Sequence, residues 1–229
     1  MREALQAEAD GPLDDELVSR SIARSADRIA SAVTLRLYHA PDSRSARVRW
    51  LLEEIGSDYE IIVVTREERS SDAHRRRHPL GRVPALETDE GTLFETAALC
   101  LHIAETHPEA GLLPPEGSFD RALMYQWISV GLTEIEPFLG EAVRAAESDP
   151  ERAEAARERA RDAIRVVDDA LRGQEYLVGD RLTAADILCG STLLSARRTG
   201  LTEGAPSVEA YLDRLKARPA HARAYPPES

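Results

Sequence analysis

Hydrophobic and polar positions in the first third of the chain form short segments that predict strands and helices in turn. Residues 34–39 and 59–64 are brief runs rich in β-branched and aromatic side chains, which predict strands. Between them, apolar residues recur at helical spacing over 43–55 and end at Gly56, which predicts a helix with a glycine C-cap. Because a helix joins the two strands, we expect them to be parallel with a right-handed crossover.

The next segments predict a short charged helix and then a β-hairpin. The helix is expected over residues 66–78. A polar turn at 88–91 then separates two apolar runs, 83–86 and 92–94. Pro84 stands at the start of the first hairpin strand, where a missing N–H is tolerated only at a strand edge, a first position or a bulge.

The hairpin leads directly into a helix. Glu95 and Thr96 precede apolar residues at helical spacing over 96–106, and Thr96 is predicted to be the N-cap. Free backbone N–H groups at such a helix start attract anions. This stretch therefore predicts a binding site for a peptide-like ligand that carries a carboxylate.

Beyond residue 107 the sequence has no strand-like alternation of apolar and polar positions, and its pattern predicts helices only. Proline and glycine are frequent over residues 108–118, which we interpret as a linker between domains. Pro137 is expected to bend or end the first helix, and Thr183 with Asp186 predicts a capping box. The predicted helices cover residues 119–139, 150–171, 187–196 and 206–217.

These elements predict two domains of different class. The order βαβαββα over residues 34–107 is a thioredoxin-like α/β domain, and an all-α domain follows over 119–229. Residues 1–33 stand apart as an extension that we expect to be poorly ordered or weakly helical.

Composition narrows the class of partner. The 229-residue chain has a formal net charge of -12, which argues against nucleic acid or an anionic membrane surface as its main partner. No apolar run approaches the length of a membrane span, and the first residues lack the apolar core of a secretory signal. Cys100 and Cys189 lie within apolar helical patterns without metal-ligand spacing, so we expect buried thiols, no metal and a cytoplasmic location.

Five motifs in the same order resemble those of one family. They are SRSARVRWLLEE at residues 43–54, HPLGRVPAL at 78–86, ET at 95–96, GDRLTAAD at 179–186 and LKARPA at 215–220. From about residue 34 to its end, the chain resembles a cytosolic glutathione transferase of bacterial type. The resemblance implies that the first domain binds glutathione and that the helical domain supplies a pocket for the electrophile.

The resemblance also implies how glutathione is held. Pro84 would be a cis proline that lets the Val83 backbone pair with the cysteinyl part of glutathione. Glu95 would pair with the α-ammonium group of the γ-glutamyl end, and Thr96 would receive its α-carboxylate. Arg82 would meet the glycine carboxylate.

The residue that activates the thiol is less closely specified. A hydroxyl at the start of the first helix favours the thiolate, which makes Ser43 the first candidate and Ser45 the second. Tyr38, at the end of the first strand, is the third, since some classes of the family use a tyrosine from this strand. Arg44 would add positive charge beside the sulfur. The sequence leaves a serine-type and a tyrosine-type enzyme both open.

The expected function is activation of the glutathione thiol for attack on a small hydrophobic electrophile, in detoxification, by a homodimer. Two alternatives stay open. One is a non-catalytic, transferase-like binding or regulatory protein, and the other is a transferase or peroxidase that uses glutathione or another low-molecular-weight thiol. The electrophile pocket is expected to draw on the helix over residues 119–139, whose apolar side chains are individually more typical of core.

Overall fold

A four-stranded mixed sheet forms the first half of the described chain. The computed structural model describes residues 35–226, so the predicted extension over 1–33 lies outside the described residues. The sheet order is β2-β1-β3-β4, with β1 parallel to β2 and antiparallel to β3, and with β3 antiparallel to β4. The strands are β1 (Leu35–His39), β2 (Tyr59–Val63), β3 (Ala85–Thr88) and β4 (Gly91–Phe94).

Helices flank the sheet and then form the whole of the second half. The α-helices are α1 (Ser45–Ile55), α2 (Asp72–Arg77), α3 (Thr96–Thr106), α4 (Phe119–Ser129), α5 (Glu136–Ala145), α6 (Pro150–Ala170), α7 (Ala184–Arg197), α8 (Pro206–Lys216) and α9 (Pro219–Ala224). Short 3-10 turns occur at Glu68–Ser70 and Pro108–Ala110. The order of elements confirms a thioredoxin-like α/β part followed by an all-α part. The boundaries of the predicted linker stay a prediction.

The core joins both halves around α1 and α7. In α1 the side chains of Trp50, Leu51 and Leu52 are fully buried. α7 is buried along most of its length, because nearly every side chain in its first three turns is small or apolar. Cys100 and Cys189 are buried free thiols, as expected, and burial raises the pKa of each to about 12.

Local capping follows the sequence in two places. Gly56 ends α1 in the left-handed conformation with φ 74°, which a glycine adopts without a Cβ clash. At the start of α7, Thr183 and Asp186 form the predicted capping box. The Asp186 carboxylate also accepts hydrogen bonds from the Leu177 N–H at 2.9 Å and the Tyr211 hydroxyl at 3.0 Å.

The helical run that contains Pro137 continues beyond this proline. A π-helical turn, Val130–Ile135, separates α4 from α5, and α5 extends to Ala145. Pro137 has no N–H to donate to a carbonyl one turn earlier, and it lies in the first turn of α5, where that donor is not required. Among the described residues, no helix combines the length and the apolar character needed to cross a membrane.

Candidate functional site

The ends of three strands bring the predicted site residues to one edge of the sheet. Ala85 is paired with Tyr38 of β1 on one side and with Phe94 of β4 on the other. The next row of the sheet therefore places His39, Pro84 and Glu95 side by side. The β1–α1 turn and the first turn of α3 both start from this row.

The β1–α1 turn holds a chain of hydrogen-bonded hydroxyl groups. The Ser43 Oγ lies 2.6 Å from the Ser45 Oγ and 2.7 Å from the Ala40 carbonyl oxygen. The Ser45 Oγ lies 2.8 Å from Nδ1 of His39 and accepts from the Ala40 N–H at 3.1 Å. Ser45 is fully buried, whereas Ser43 is partly exposed, so Ser43 is the end of the chain that a ligand can reach.

His39 is the buried end of this chain. Its side chain follows Leu35 and Leu37 on the apolar face of β1 and is only 6% exposed. Burial lowers the pKa of His39, and the nearby charge of Arg49 lowers it further. The imidazole is therefore neutral at physiological pH and can act as donor through one ring nitrogen only.

An ion-pair cluster lies beside the turn and connects it to the helical half. The carboxylate of Glu136, at the start of α5, pairs with Arg44 and, at 2.7 Å, with the buried Arg47 of α1. Burial alone raises the pKa of Glu136, but Arg47 and Arg44 outweigh that effect and the pKa is lowered. Glu136 is thus a carboxylate that neutralises part of the positive charge at the start of α1.

Two cavities of about 400 Å³ each meet at Arg44 and Arg47. The first, here the Glu95 cleft, is lined by Arg44, Arg47, Glu95, Thr96, Ala97, Leu132, Glu136, Pro137, Gly140 and Arg144. The second, here the Ser43 pocket, is lined by Asp42, Ser43, Arg44, Arg47, Ser191, Leu194, Ser195, Arg197, Arg198, Lys216, His221 and Tyr225.

The helix start in the Glu95 cleft differs in one detail from the sequence expectation. The cap position of α3 belongs to Glu95, and Thr96 is the first helical residue. Glu95 has φ 75° and ψ 116°, a conformation that is unfavourable for a residue with a side chain. Strain of this kind is common where a backbone is held for ligand binding. The carboxylate of Glu95 is exposed to the cleft, and Thr96 is buried beneath it.

The remaining predicted residues lie outside both cavities. The peptide bond between Val83 and Pro84 is cis, and Pro84 is buried directly before β3. Arg82 is exposed, and within residues 35–226 its side chain has no ion pair. Its carbonyl oxygen lies 2.8 Å from Nε2 of the buried His74, which holds this stretch of backbone in place.

Tyr38 projects from the opposite face of β1. Its hydroxyl donates to Glu87 at 2.9 Å, and the Arg77 guanidinium lies over its ring at 4.5 Å. Burial raises the pKa of Tyr38, and the Glu87 carboxylate raises it further. The structure thus groups Ser43 with Arg44, and Glu95 and Thr96 with Arg44, but places Tyr38 elsewhere.

The segment predicted to supply the electrophile pocket, residues 119–139, lines the Glu95 cleft through Leu132, Glu136 and Pro137 and also contributes to the core. Met124 and Ile128 are buried in the central cluster. The Ser43 pocket is instead bounded by the C-terminal half of α7 and by α8 and α9, which periodicity alone does not bring near Ser43. Sequence reasoning also missed His39, although a polar residue on an apolar strand face was a signal for it. No pattern linked Arg47 to Glu136, which is 89 positions away.

The fold and the geometry of the site together indicate the kind of ligand that the site can hold. A thioredoxin-like part presents a cis-proline backbone edge and a helix start, and an all-α part closes both cavities beside them. Such an arrangement suits a small peptide-like ligand with a carboxylate at the helix start.

Comparison with known proteins assigns the family. The model of the glutathione S-transferase N-terminal domain matches residues 33–105, and that of the glutathione S-transferase C-terminal domain matches residues 121–219. Glutathione S-transferase GstA of Escherichia coli O157:H7 is 27% identical over 190 residues, 81% of this chain and 94% of the relative. Glutathione S-transferase 4 of Zea mays is 31% identical over 189 residues, 76% of this chain and 84% of the relative.

A solved structure agrees with this assignment. The structure of a sphingomonad glutathione S-transferase complexed with glutathione superimposes with a TM-score of 0.74 at 31% identity, covering 83% of this chain and 96% of that one. The chain belongs to the glutathione S-transferase family.

Proposed function

We propose that this glutathione transferase binds glutathione along the sheet edge formed by the ends of β1, β3 and β4. The Glu95 carboxylate pairs with the α-ammonium group of the γ-glutamyl end, and the first N–H groups of α3 receive its α-carboxylate at Thr96. The Val83 backbone pairs with the cysteinyl part in the manner of an added strand, and Arg82 meets the glycine carboxylate. The observation that carries this proposal is the Glu95 cleft, which joins Glu95 and Thr96 to Arg44 beside the Ser43 turn.

In this proposal Ser43 stabilises the thiolate. The free thiol, with a pKa of ~8.5, is mostly protonated at neutral pH. A hydroxyl that donates to the sulfur and the guanidinium of Arg44 both favour the anion. The hydroxyl of Tyr38 is bonded to Glu87 instead, which supports Ser43 over Tyr38 for this role.

When the Ser43 hydroxyl donates to the sulfur, the donor and the acceptor of each hydrogen bond from Ser43 through Ser45 to His39 are determined. Each serine hydroxyl has one proton. If the Ser43 proton points to the thiolate, the Ser43 Oγ can still accept from the Ser45 hydroxyl. Ser45 then cannot donate to His39, so His39 must donate from Nδ1. We therefore assign the Nδ1–H tautomer to His39 and propose that it positions the Ser43 hydroxyl through Ser45.

The proposed reaction is nucleophilic substitution or addition by sulfur. The thiol proton passes to solvent, and a lone pair of the thiolate forms the C–S bond to the electrophile. In a substitution, the leaving group departs with the electron pair of the bond that breaks. Because the Ser43 donor acts before and during the attack, its contribution appears in both the thiol pKa and the rate.

We further propose that two copies associate and that the protein acts in the cytoplasm, in detoxification of small electrophiles. Large exposed apolar side chains at the end of β4 and on α4 support association, namely those of Leu93, Phe94, Phe119 and Tyr125. Sedimentation tests the dimer directly, with a single species of monomer mass as the contrary result.

A glutathione-affinity experiment tests the central proposal. We expect the wild-type protein to be retained on immobilised glutathione and to conjugate glutathione to chlorodinitrobenzene. Glu95→Ala should weaken retention about tenfold or more, because the α-ammonium group loses its counter-charge. Asp89→Ala, which removes an exposed carboxylate from the hairpin turn, is the matched control. No retention of the wild type would contradict the proposal, and retention without turnover would favour a binding or regulatory protein.

A further inference from the structure

The lining of the Ser43 pocket carries an excess of positive charge in a chain whose net charge is -12. The acid in this lining is Asp42. The cations are Arg44, Arg47, Arg197, Arg198 and Lys216. These charges do not help a pocket to bind a purely apolar molecule, because exposed guanidinium and ammonium groups remain hydrated.

Three of the cations already have carboxylate partners. Arg44 and Arg47 share Glu136. Arg197 pairs with Glu209 at 2.8 Å and with Asp213 at 2.7 Å.

Arg198 and Lys216 differ from the other cations of the pocket. Across residues 35–226 neither of them makes an ion pair or a side-chain hydrogen bond, and both are exposed. Their charges nevertheless act on His221, which lines the same pocket. Burial lowers the pKa of His221 to about 4, and Lys216 and Arg198 contribute to this lowering. Arg198 and Lys216 are therefore the two cations of this lining for which residues 35–226 supply no carboxylate partner.

The rest of the wall is partly apolar. The ring of Tyr225 stacks on His221 with 4.6 Å between centroids, and Leu194 is half-buried beside them. A flat apolar body can pack against these side chains while a charged group on its edge reaches Arg198 and Lys216. The volume of about 400 Å³ accommodates a substituted aromatic ring.

We propose that the Ser43 pocket takes electrophiles that combine an apolar body with an anionic group, and that Arg198 and Lys216 hold this group. The inference rests on the proposed function, since Ser43 and the sulfur face the same pocket. It narrows the small hydrophobic electrophile expected from the sequence to an amphipathic acid, such as a halogenated aromatic carboxylate. In the reaction, the thiolate adds to the ring carbon that bears chlorine, the C–S bond forms and chloride leaves with its bonding electrons.

A matched pair of electrophiles tests this proposal. A chloronitrobenzoate and the corresponding uncharged chloronitrobenzamide are compared by kcat/KM, each divided by its uncatalysed rate with glutathione. We expect the wild-type protein to prefer the carboxylate by about tenfold. The double variant Arg198→Gln, Lys216→Gln should lose most of this preference. The preference of the wild type should also decline at high salt, because exposed charges are screened.

Arg66→Gln is the control for the loss of an arginine. Arg66 is exposed, lies outside both cavities and within the described part of the chain has no ion pair, so its replacement should leave the preference unchanged. An equal preference for the two electrophiles in the wild type, or an unchanged preference in the double variant, would overturn the inference.

Binding of a non-reactive acid separates this inference from the proposed function. Calorimetry with nitrobenzoate needs no glutathione and no turnover. We expect the double variant to bind it about tenfold more weakly than the wild type and the Arg66→Gln control. Equal binding by all three proteins would refute the anion site even if conjugation occurs. Loss of conjugation with intact, charge-dependent nitrobenzoate binding would instead count against the proposed thiol chemistry alone.

Discussion

At the scale of single residues, the positions of two hydroxyl groups favour Ser43 over Tyr38 as the proposed donor to the sulfur. Ser43 and Tyr38 are five positions apart, yet alternation along β1 sends Tyr38 to the face opposite His39. There the Tyr38 hydroxyl is bonded to Glu87, whereas Ser43 lines a cavity. The sequence left a serine-type and a tyrosine-type enzyme both open, and this geometry favours the serine type.

Removal of the two hydroxyl groups gives the first prediction. Ser43→Ala should lower kcat/KM for chlorodinitrobenzene about 100-fold at neutral pH, because a donor that stabilises the thiolate is lost and less of the bound thiol is ionised. The pH profile of kcat/KM should also shift to higher pH, since the bound thiol becomes a weaker acid. Tyr38→Phe should change kcat/KM by less than about threefold. The reverse order of effects would identify a tyrosine-type enzyme.

The tautomer assigned to His39 gives a second prediction. In His39→Asn the amide nitrogen can take the place of Nδ1 and donate to Ser45, whereas in His39→Gln it reaches towards the place of Nε2. We expect His39→Asn to retain kcat and His39→Gln to lose about tenfold, with a pH profile shifted in the direction of Ser43→Ala. Thermal unfolding of both variants measures the packing loss that they share. Equal kcat and equal pH profiles for the two variants would exclude a positioning role for His39.

At the scale of elements, α7 depends on one buried carboxylate. Asp186 accepts from the Thr183 N–H at 2.7 Å and the Thr183 hydroxyl at 2.9 Å, in addition to its bonds from Leu177 and Tyr211. A buried donor that loses its acceptor costs about 1 to 3 kcal/mol. The capping box therefore fixes the start of α7 and also the loop and the helix that pack against it.

Asp186→Ala should lower the free energy of unfolding by about 4 kcal/mol, measured by urea denaturation. Asp149→Ala is the matched control, because Asp149 is an exposed N-cap of α6 that accepts a single bond from the Arg152 N–H at 3.1 Å. That control should lose about 1 kcal/mol. Similar losses for both variants would mean that the buried network adds nothing to ordinary capping.

At the scale of the whole molecule, α1 connects the two halves. Its Glu54 accepts from Trp50 Nε1 at 2.9 Å and pairs with Arg218 through two bonds, at 2.6 and 2.8 Å. His221 of α9 contacts the Trp50 ring edge-on, with 4.9 Å between centroids. The helix that directly follows the Ser43 turn is thereby fixed against the helices that bound the Ser43 pocket.

Acidification should lower the free energy of unfolding through His221, which is neutral at this junction in the folded protein. The pKa of His221 is about 4 in the folded protein, against ~6.5 in the unfolded chain. Burial is the main cause of the lowering, with Lys216 and Arg198 adding to it and Glu54 opposing it. Between these two pKa values the unfolded chain binds more protons, so the stability contributed by neutral His221 is present above about pH 6.5 and is lost as pH falls towards 4.

Urea denaturation of the wild type and of His221→Gln across this pH range tests the prediction. The free energy of unfolding should decline with acidification more steeply in the wild type, because the variant has no imidazole to protonate. The comparison removes the part of the decline that carboxylates contribute to both proteins. Parallel curves would show that His221 does not titrate on unfolding.

The sequence was sufficient for properties that arise from neighbouring residues. Strand and helix segments, the glycine cap at Gly56, the capping box at Asp186 and the hairpin that leads to Glu95 depend on local side-chain chemistry and short-range periodicity. The order of these elements also restricts topology, because a helix between two strands makes them parallel. The residue that caps α3 lay one position from the expected one, within the usual variation of helix ends.

Only the tertiary structure decided the features that depend on contacts between residues far apart in the sequence. The register of β3 with both neighbours places Pro84 beside His39 and Glu95. The start of α5 comes close enough to α1 for Glu136 to pair with Arg47, and packing of α7, α8 and α9 around the β1–α1 turn gives the Ser43 pocket its cationic wall. Charge–charge distances in space are not encoded in the periodicity of any one element. For that reason the sequence predicted where a thiol peptide would bind, and only the fold revealed a positively charged pocket beside Ser43.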